Sequence, residues 1–178
     1  MKLLRQHIIF LVLVAAFSGV ASGRAADPKV TLEAAISYNL ARFVSRLSPV
    51  PGEPRALLFC VREKTLIADG LRVMQAARQN NHPLLLREIS TPKGFYSGCD
   101  LAFLSATDQK ELSLEKLAIT GTLTIGNTDG FLDAGGGIHL LQVGQKISFS
   151  VNMGALKTAK KALSSRVLKL AKEVRAAL

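Results

Sequence analysis

Arg55-Ala56-Leu57-Leu58-Phe59-Cys60-Val61 is a continuous apolar run, too short for a good helix and preceded by the rigid turn Pro49-Val50-Pro51-Gly52. Apolar residues at consecutive positions, rather than alternating ones, predict a strand buried on both faces, as in a parallel sheet covered by helices. Downstream, Leu66, Ile67, Leu71, Met74 and Ala77 recur at helical intervals between Thr65 and Arg78, and Asn80-Asn81-His82-Pro83 closes that segment as a turn. A second strand follows at Leu84 to Ile89, then a Pro/Gly/Ser loop from Ser90 to Gly98 and a third short strand at Leu101 to Leu104. A polar-faced helix from about Asp108 to Leu117 and a fourth strand at Leu123 to Ile125 complete the series. This order predicts a single α/β domain with a mixed, mainly parallel sheet and helices on both faces.

The flanks extend the pattern. Upstream, Asp27-Pro28 is a helix opening: the Asp can cap free amides, and proline sits where no N–H is needed. Ile36, Leu40, Phe43, Val44 and Leu47 then fall on one helical face, which we expect to meet the core before Pro49 ends the helix. Downstream, Ile138 to Val143 and Lys146 to Val151 flank Gly144-Gln145 and predict a C-terminal β-hairpin. A long C-terminal helix is expected from about Gly154 to the terminus, with Leu156, Leu163, Val167, Leu170, Val174 and Leu178 as its apolar stripe and lysines and arginines over the rest.

The chain has 178 residues, 48% hydrophobic and 20% charged, with a mean hydropathy of +0.26, enough for one ordinary core and too apolar for intrinsic disorder. Its net charge of +10 would fit a nucleic-acid ligand in a cytosolic protein. The first residues argue against that compartment. Lys2 and Arg5 form a basic start, Ile8 to Phe17 is an unbroken apolar run, and small residues follow to Gly23, the order of a cleavable signal peptide. The stretch is short against the roughly 20 residues of a spanning helix. We therefore expect a leader at residues 1–23 and a mature α/β domain at 27–178. Without its leader the chain keeps a net charge of +8, better suited to an anionic envelope surface or an acidic protein than to nucleic acid.

Export changes the meaning of Cys60 and Cys99, since two cysteines in an oxidising compartment tend to pair. A Cys60–Cys99 disulfide is the expectation, two buried free thiols the alternative. Level register between parallel strands would hold the two Cα atoms apart by several residues at ~3.3 Å each, beyond the ~7 Å a bridge tolerates. Either the strands are shifted or the cysteines meet through a loop.

Catalytic patterns are missing. After the leader the histidines are His82 and His139, with no G-x-S-x-G elbow and no paired carboxylates placed for acid–base work. Gly135-Gly136-Gly137 precedes a strand, not the helix N-terminus that completes a phosphate cradle, and reads as a structural turn. Asn127, Asp129 and Gly130 echo a calcium loop, but Ile125 stands where an acid is needed and Gly136 where the closing Glu would fall. No enzyme, metal site or cofactor is expected.

Several segments resemble the YfiR-like family of small exported bacterial proteins. Tyr38-Asn39-Leu40-Ala41-Arg42-Phe43-Val44 is similar to the family's YNFAKF signature. Leu58-Phe59-Cys60-Val61, Cys99-Asp100-Leu101-Ala102-Phe103-Leu104, Leu123-Thr124-Ile125, Gly130-Phe131, Gly135-Gly136-Gly137-Ile138, Ile147-Ser148-Phe149-Ser150-Val151-Asn152 and Leu168-Lys169-Leu170-Ala171 follow in order. The family's Trp-Pro pair after the first signature is replaced by Ser45-Arg46-Leu47-Ser48-Pro49, and a second cysteine pair found in some relatives is absent. The resemblance implies a periplasmic homodimer that binds the periplasmic sensor region of a membrane-anchored diguanylate cyclase and holds it inactive, lowering cyclic di-GMP and restraining biofilm growth. A periplasmic small-ligand-binding protein without catalytic activity is the other reading. The chain would bind no nucleic acid and be peripheral to a membrane at most. Tyr38, Arg42 and Arg46 are candidate partner-binding residues, since they lie off the expected core face and Tyr and Arg are enriched at binding hot spots.

The leader makes a direct prediction. The intact mass of protein from the envelope fraction should correspond to a start between Ser22 and Asp27; a full-length mass in the membrane pellet would reveal an uncleaved anchor instead.

Overall fold

A computed structural model of the chain describes residues 28–47, 56–77, 84–90, 96 and 98–176. The expected leader, the Asp27 cap, the turns at 49–52 and 80–83 with His82, and Leu178 lie outside them. In chain order the elements are α1 (Pro28–Ala41), β1 (Val44–Arg46), β2 (Leu57–Arg62), α2 (Leu66–Ala77), β3 (Leu84–Ile89), β4 (Leu101–Leu104), α3 (Ala106–Glu111), α4 (Leu114–Ile119), β5 (Leu123–Gly126), β6 (Ile138–Val143), β7 (Lys146–Asn152), α5 (Met153–Thr158), β8 (Lys161–Leu163), α6 (Ser165–Leu168) and β9 (Glu173–Arg175). Seven strands form one sheet in the order β3-β2-β4-β5-β6-β7-β9, and β1 and β8 form a separate two-stranded ribbon. Strands β2 to β6 run parallel, β7 returns antiparallel beside β6, and β9 runs parallel to β7 at the edge.

The consecutive apolar residues of β2 separate by parity onto the two faces of the sheet, as expected of a strand covered on both sides. Leu57, Phe59 and Val61 join Leu101, Phe103, Leu123, Ile125, Ile138 and Leu140 in the larger core under α1 and α2. The two helices approach closely: a Cβ on Gly70 would lie 2.6 Å from the Cβ of Ala34. Cys60, Ala102 and Leu104 face the other way, into a smaller core with Ile89, Tyr96, Cys99, Leu114, Phe131 and Leu132.

Cys60 and Cys99 are bridged, with Cα atoms 6.0 Å apart. Phe59 is level with Leu101, so direct strand pairing would not bring the cysteines together. The loop before β4 does so. Gly98 turns it at φ +78°, Cys99 N–H donates to the Tyr96 carbonyl, and the Thr122 hydroxyl donates to the Cys99 carbonyl at 2.9 Å.

Three expectations are corrected. The long C-terminal helix does not form: the segment divides into α5, β8, α6 and β9. Asn152 caps α5 by accepting from the Ala155 N–H, and Lys160 at φ +52° ends it. Lys161–Leu163 then pairs with β1, and Glu173–Arg175 with β7. Of the supposed stripe, Leu156, Leu163 and Val167 are buried on three different elements, while Leu170 is 73% exposed. Strand pairing and the contacts of Lys161 with Asp100 and the Gly121 carbonyl outweigh helix propensity, which is a fraction of a kcal/mol per residue. The helix expected near 108–117 is two short helices, each opened by its own serine cap, Ser105 and Ser113. Finally, α1 stops at Ala41 and Val44–Arg46 is a strand, so Phe43 and Leu47 face solvent rather than the core.

One buried carboxylate joins the ribbon to the main sheet. Asp100, at the entrance to β4, accepts from Arg46 Nε at 2.8 Å and from the Leu58 N–H at 3.0 Å, with Lys161 Nζ at 3.3 Å. Lys161 also donates to the Gly121 carbonyl at 2.8 Å. Replacing Asp100 by Ala would leave two cations facing each other in a largely dry site, a change that costs roughly 3 kcal/mol. Denaturant unfolding should show that loss for Asp100→Ala and a smaller one for Lys161→Met, which keeps the Arg46–Asp100 pair. Thiol alkylation of folded protein without reductant should label neither cysteine, and the Cys60→Ala/Cys99→Ala double variant should lose about 2–4 kcal/mol.

Candidate functional site

Among the described residues, two surface features have the geometry of binding sites. The first is the outer face of the ribbon. Register places Val44 opposite Leu163, Ser45 opposite Ala162 and Arg46 opposite Lys161, and hydrogen bonds between Leu47 N–H and the Lys160 carbonyl and between Ser164 N–H and the Phe43 carbonyl extend the pairing at both ends. Successive side chains of a strand point to opposite sides. Val44, Leu163 and Lys161 are buried, so the odd positions of β1 face out, and Phe43 and Leu47 are 47% and 54% exposed. Between them lie Ser45, Ala162 and Ser164, with Lys160 at the margin. The face offers two large apolar side chains on a nearly flat platform of small ones.

This arrangement revises the expected hot spots. Tyr38 is only 3% exposed and packs in the core with Ala34, Leu40 and Ala41, because α1 buries the 34/37/38/41 face. It is not available for contact. Arg46 points inward to Asp100, so its replacement by Glu would disrupt the domain as well as any interface. Arg42 is half-buried just after α1. Phe43 and Leu47 are the residues that sequence reasoning placed on the wrong side. The helical spacing of residues 36–47 continues past Ala41, but Val44–Arg46 is a strand with period two.

The second feature is a cleft of about 720 Å³ between α4, α5 and β9. Ala118, Ile119, Leu132 and Ala155 supply apolar wall, and Glu115 and Arg175 bring opposite charges to it. Arg175 is itself held by Asp133 and Glu173. A smaller cleft of about 380 Å³ lies across Arg175 and includes His139, Ser150 and Lys172. His139 stacks at 6.3 Å on Phe131, and burial lowers its pKa, a shift opposed by Asp129 and Asp133.

The glycine triplet shapes the wall of the larger cleft. Gly135 adopts φ +88°, and a side chain on Gly126 or Gly136 would overlap the Phe131 ring, which is wholly buried between them. The Gly137 N–H donates to Thr124 Oγ1 at 3.1 Å. These residues close a turn over β5, and their amides are engaged inside the domain. Among the described residues no group of three His, Cys, Asp or Glu side chains is placed to hold a metal ion, and no helix is long and apolar enough to cross a membrane.

Among solved structures, the chain is similar to a conserved domain protein from Vibrio cholerae O1 biovar El Tor, with 11% identity over 82% of this chain and 60% of that one and a TM-score of 0.49. It is also similar to an ABC domain in complex with L-Trp from Streptococcus pneumoniae, with 8% identity over 82% of this chain and 61% of that one and a TM-score of 0.52. The chain thus spans about 60% of the length of these neighbours, and the likeness to the second is one of fold alone. No curated protein matches it in sequence. The YfiR/HmsC-like family model, in contrast, matches residues 30–172, from α1 to the residue before β9. With the match spanning both cores, the disulfide and the ribbon, the chain belongs to the YfiR/HmsC-like family.

Proposed function

We propose that the protein is an exported, non-catalytic regulator that binds the periplasmic sensor region of a membrane-anchored diguanylate cyclase and keeps it inactive. The observation that carries this reading is the family match over residues 30–172, which supports a periplasmic regulator. The disulfide agrees with an oxidising compartment. The outer ribbon face is where we place the contact: an interface core needs large side chains that lose water on docking, and Phe43 and Leu47 are exposed with small neighbours that let a partner approach. Arg42, beside Phe43, would lie at its rim. The protein acts as a homodimer in this proposal, and loss of inhibition raises cytoplasmic cyclic di-GMP.

A second reading, a periplasmic small-ligand-binding protein, draws on the 720 Å³ cleft, which is concave, mostly apolar and edged by a few polar groups. The two readings are compatible if a bound molecule alters the partner-binding state.

Purified mature protein should bind the isolated periplasmic region of the cyclase. Phe43→Asp and Leu47→Asp should each weaken that binding at least about tenfold, the scale of a hot-spot truncation. Their melting temperatures should stay near wild type, since both side chains already face water. Cells carrying either variant should accumulate cyclic di-GMP. Unchanged binding in both variants would move the interface elsewhere, and unchanged cyclic di-GMP on deleting the whole chain would overturn the regulatory reading.

A further inference from the structure

From Ala134 to Lys172 the chain contains no Asp or Glu, but it has Lys146, Lys157, Lys160, Lys161, Arg166, Lys169 and Lys172. The fold gathers part of this charge at one end of the sheet. The β6–β7 hairpin turns at Gly144, with φ +61° and the Gln142 side chain donating to the Gly144 carbonyl. Strands β7 and β9 run parallel with Ser150 level with Glu173, and the Lys172 N–H donates to the Phe149 carbonyl at 2.8 Å. Traced backwards from these contacts, β7 leads to the hairpin end of the sheet, where Lys146 lies, and β9 leads into the turn that follows α6 and carries Lys169. The two turns carry Val143, 48% exposed, and Leu170, the most exposed large hydrophobic residue described at 73%.

Leu170 is held outward by its neighbours. Val167 is buried, Leu168 and Ala171 pack against the core, and N–H groups of Leu170 and Ala171 donate to the Val167 and Leu168 carbonyls. Arg166, Lys169 and Lys172 flank it along the chain, all exposed. The next acid along the chain, Glu173, is engaged by Arg175 Nε at 2.8 Å. The result is an exposed leucine flanked along the chain by three exposed cations, and an exposed valine three residues from Lys146 at the hairpin.

We propose that this end of the molecule is a docking surface for an anionic phospholipid bilayer. A leucine tip can enter the headgroup boundary while the lysines lay their stems along apolar surface and keep their ammonium groups at the phosphates. Each such lysine is worth about fivefold in affinity at an anionic membrane. A protein partner would instead favour a broad or concave apolar area with aromatic anchors, as the ribbon face provides and these two residues do not. Docking would hold a soluble regulator in the plane of membrane-anchored proteins.

The test uses the mature protein and sedimentation with phosphatidylcholine vesicles, with and without phosphatidylglycerol at one third of the lipid. Binding should require the anionic lipid and weaken as salt rises. Leu170→Asp and the Lys169→Glu/Lys172→Glu double variant should each lower it at least about fivefold. Lys157→Glu/Lys160→Glu, made beyond the opposite end of β7, should change it far less. The chain has no tryptophan, so Leu170→Trp supplies a single reporter whose emission should shift to the blue on anionic vesicles and on no others. Absence of lipid-dependent sedimentation, an equal effect of the remote charge reversal, or an emission from the introduced indole that does not respond to vesicles would overturn the proposal. An acidic protein would then be the better candidate for this basic end.

Discussion

The carboxylate of Asp100 is the constraint on which the outer parts of this fold depend. A charged group that is 7% exposed is sustained only if its oxygens are satisfied, and here two cations and a backbone amide do so. The three donors come from β1, β8 and β2. Arg46 and Lys161 are direct cross-strand partners whose like charges would push the ribbon apart without the carboxylate between them. The interaction therefore specifies more than it stabilises: it decides which side of the ribbon faces in.

That decision creates the candidate partner face. With Val44, Arg46, Lys161 and Leu163 committed to the interior, strand alternation leaves Phe43, Ser45 and Leu47 outside. The exposed apolar pair is a consequence of an internal ion pair, not of weak packing. The other surfaces have comparable origins. On the far side of the sheet the Phe131 ring needs the space of Gly126 and Gly136, and the turn this imposes walls the larger cleft. The disulfide clips the loop before β4 onto β2, next to Asp100 in sequence, so it positions the carboxylate as well as closing the smaller core.

A positively charged chain with no acid between Ala134 and Lys172 also has its charge organised by topology. Along the sequence the lysines look evenly spread. The hairpin and the short helices divide them between opposite ends of β7.

Much of the sheet was legible in the residues alone. Strands β2 to β7 were recognisable because short apolar runs bounded by turn residues mark strands, with burial on both faces complete in β4 and β5, and Gly144 marked the hairpin. The alternation of strand and helix implied parallel pairing, and the cysteine pair implied a bridge. What the sequence could not determine were the two terminal segments and the faces they present. Residues 36–47 and 154–178 carry helical spacing, yet each contains a strand whose existence depends on a partner more than a hundred residues away, or on Asp100, which local periodicity does not sense. Neither Asp100 nor its partner Lys161, one of seven cations between Ala134 and Lys172, carries a local signal of that pairing. Pairing and buried charge are nonlocal energies of several kcal/mol, while local helical preference is a few tenths per residue, so only the tertiary structure could decide where Tyr38, Phe43 and Leu47 point.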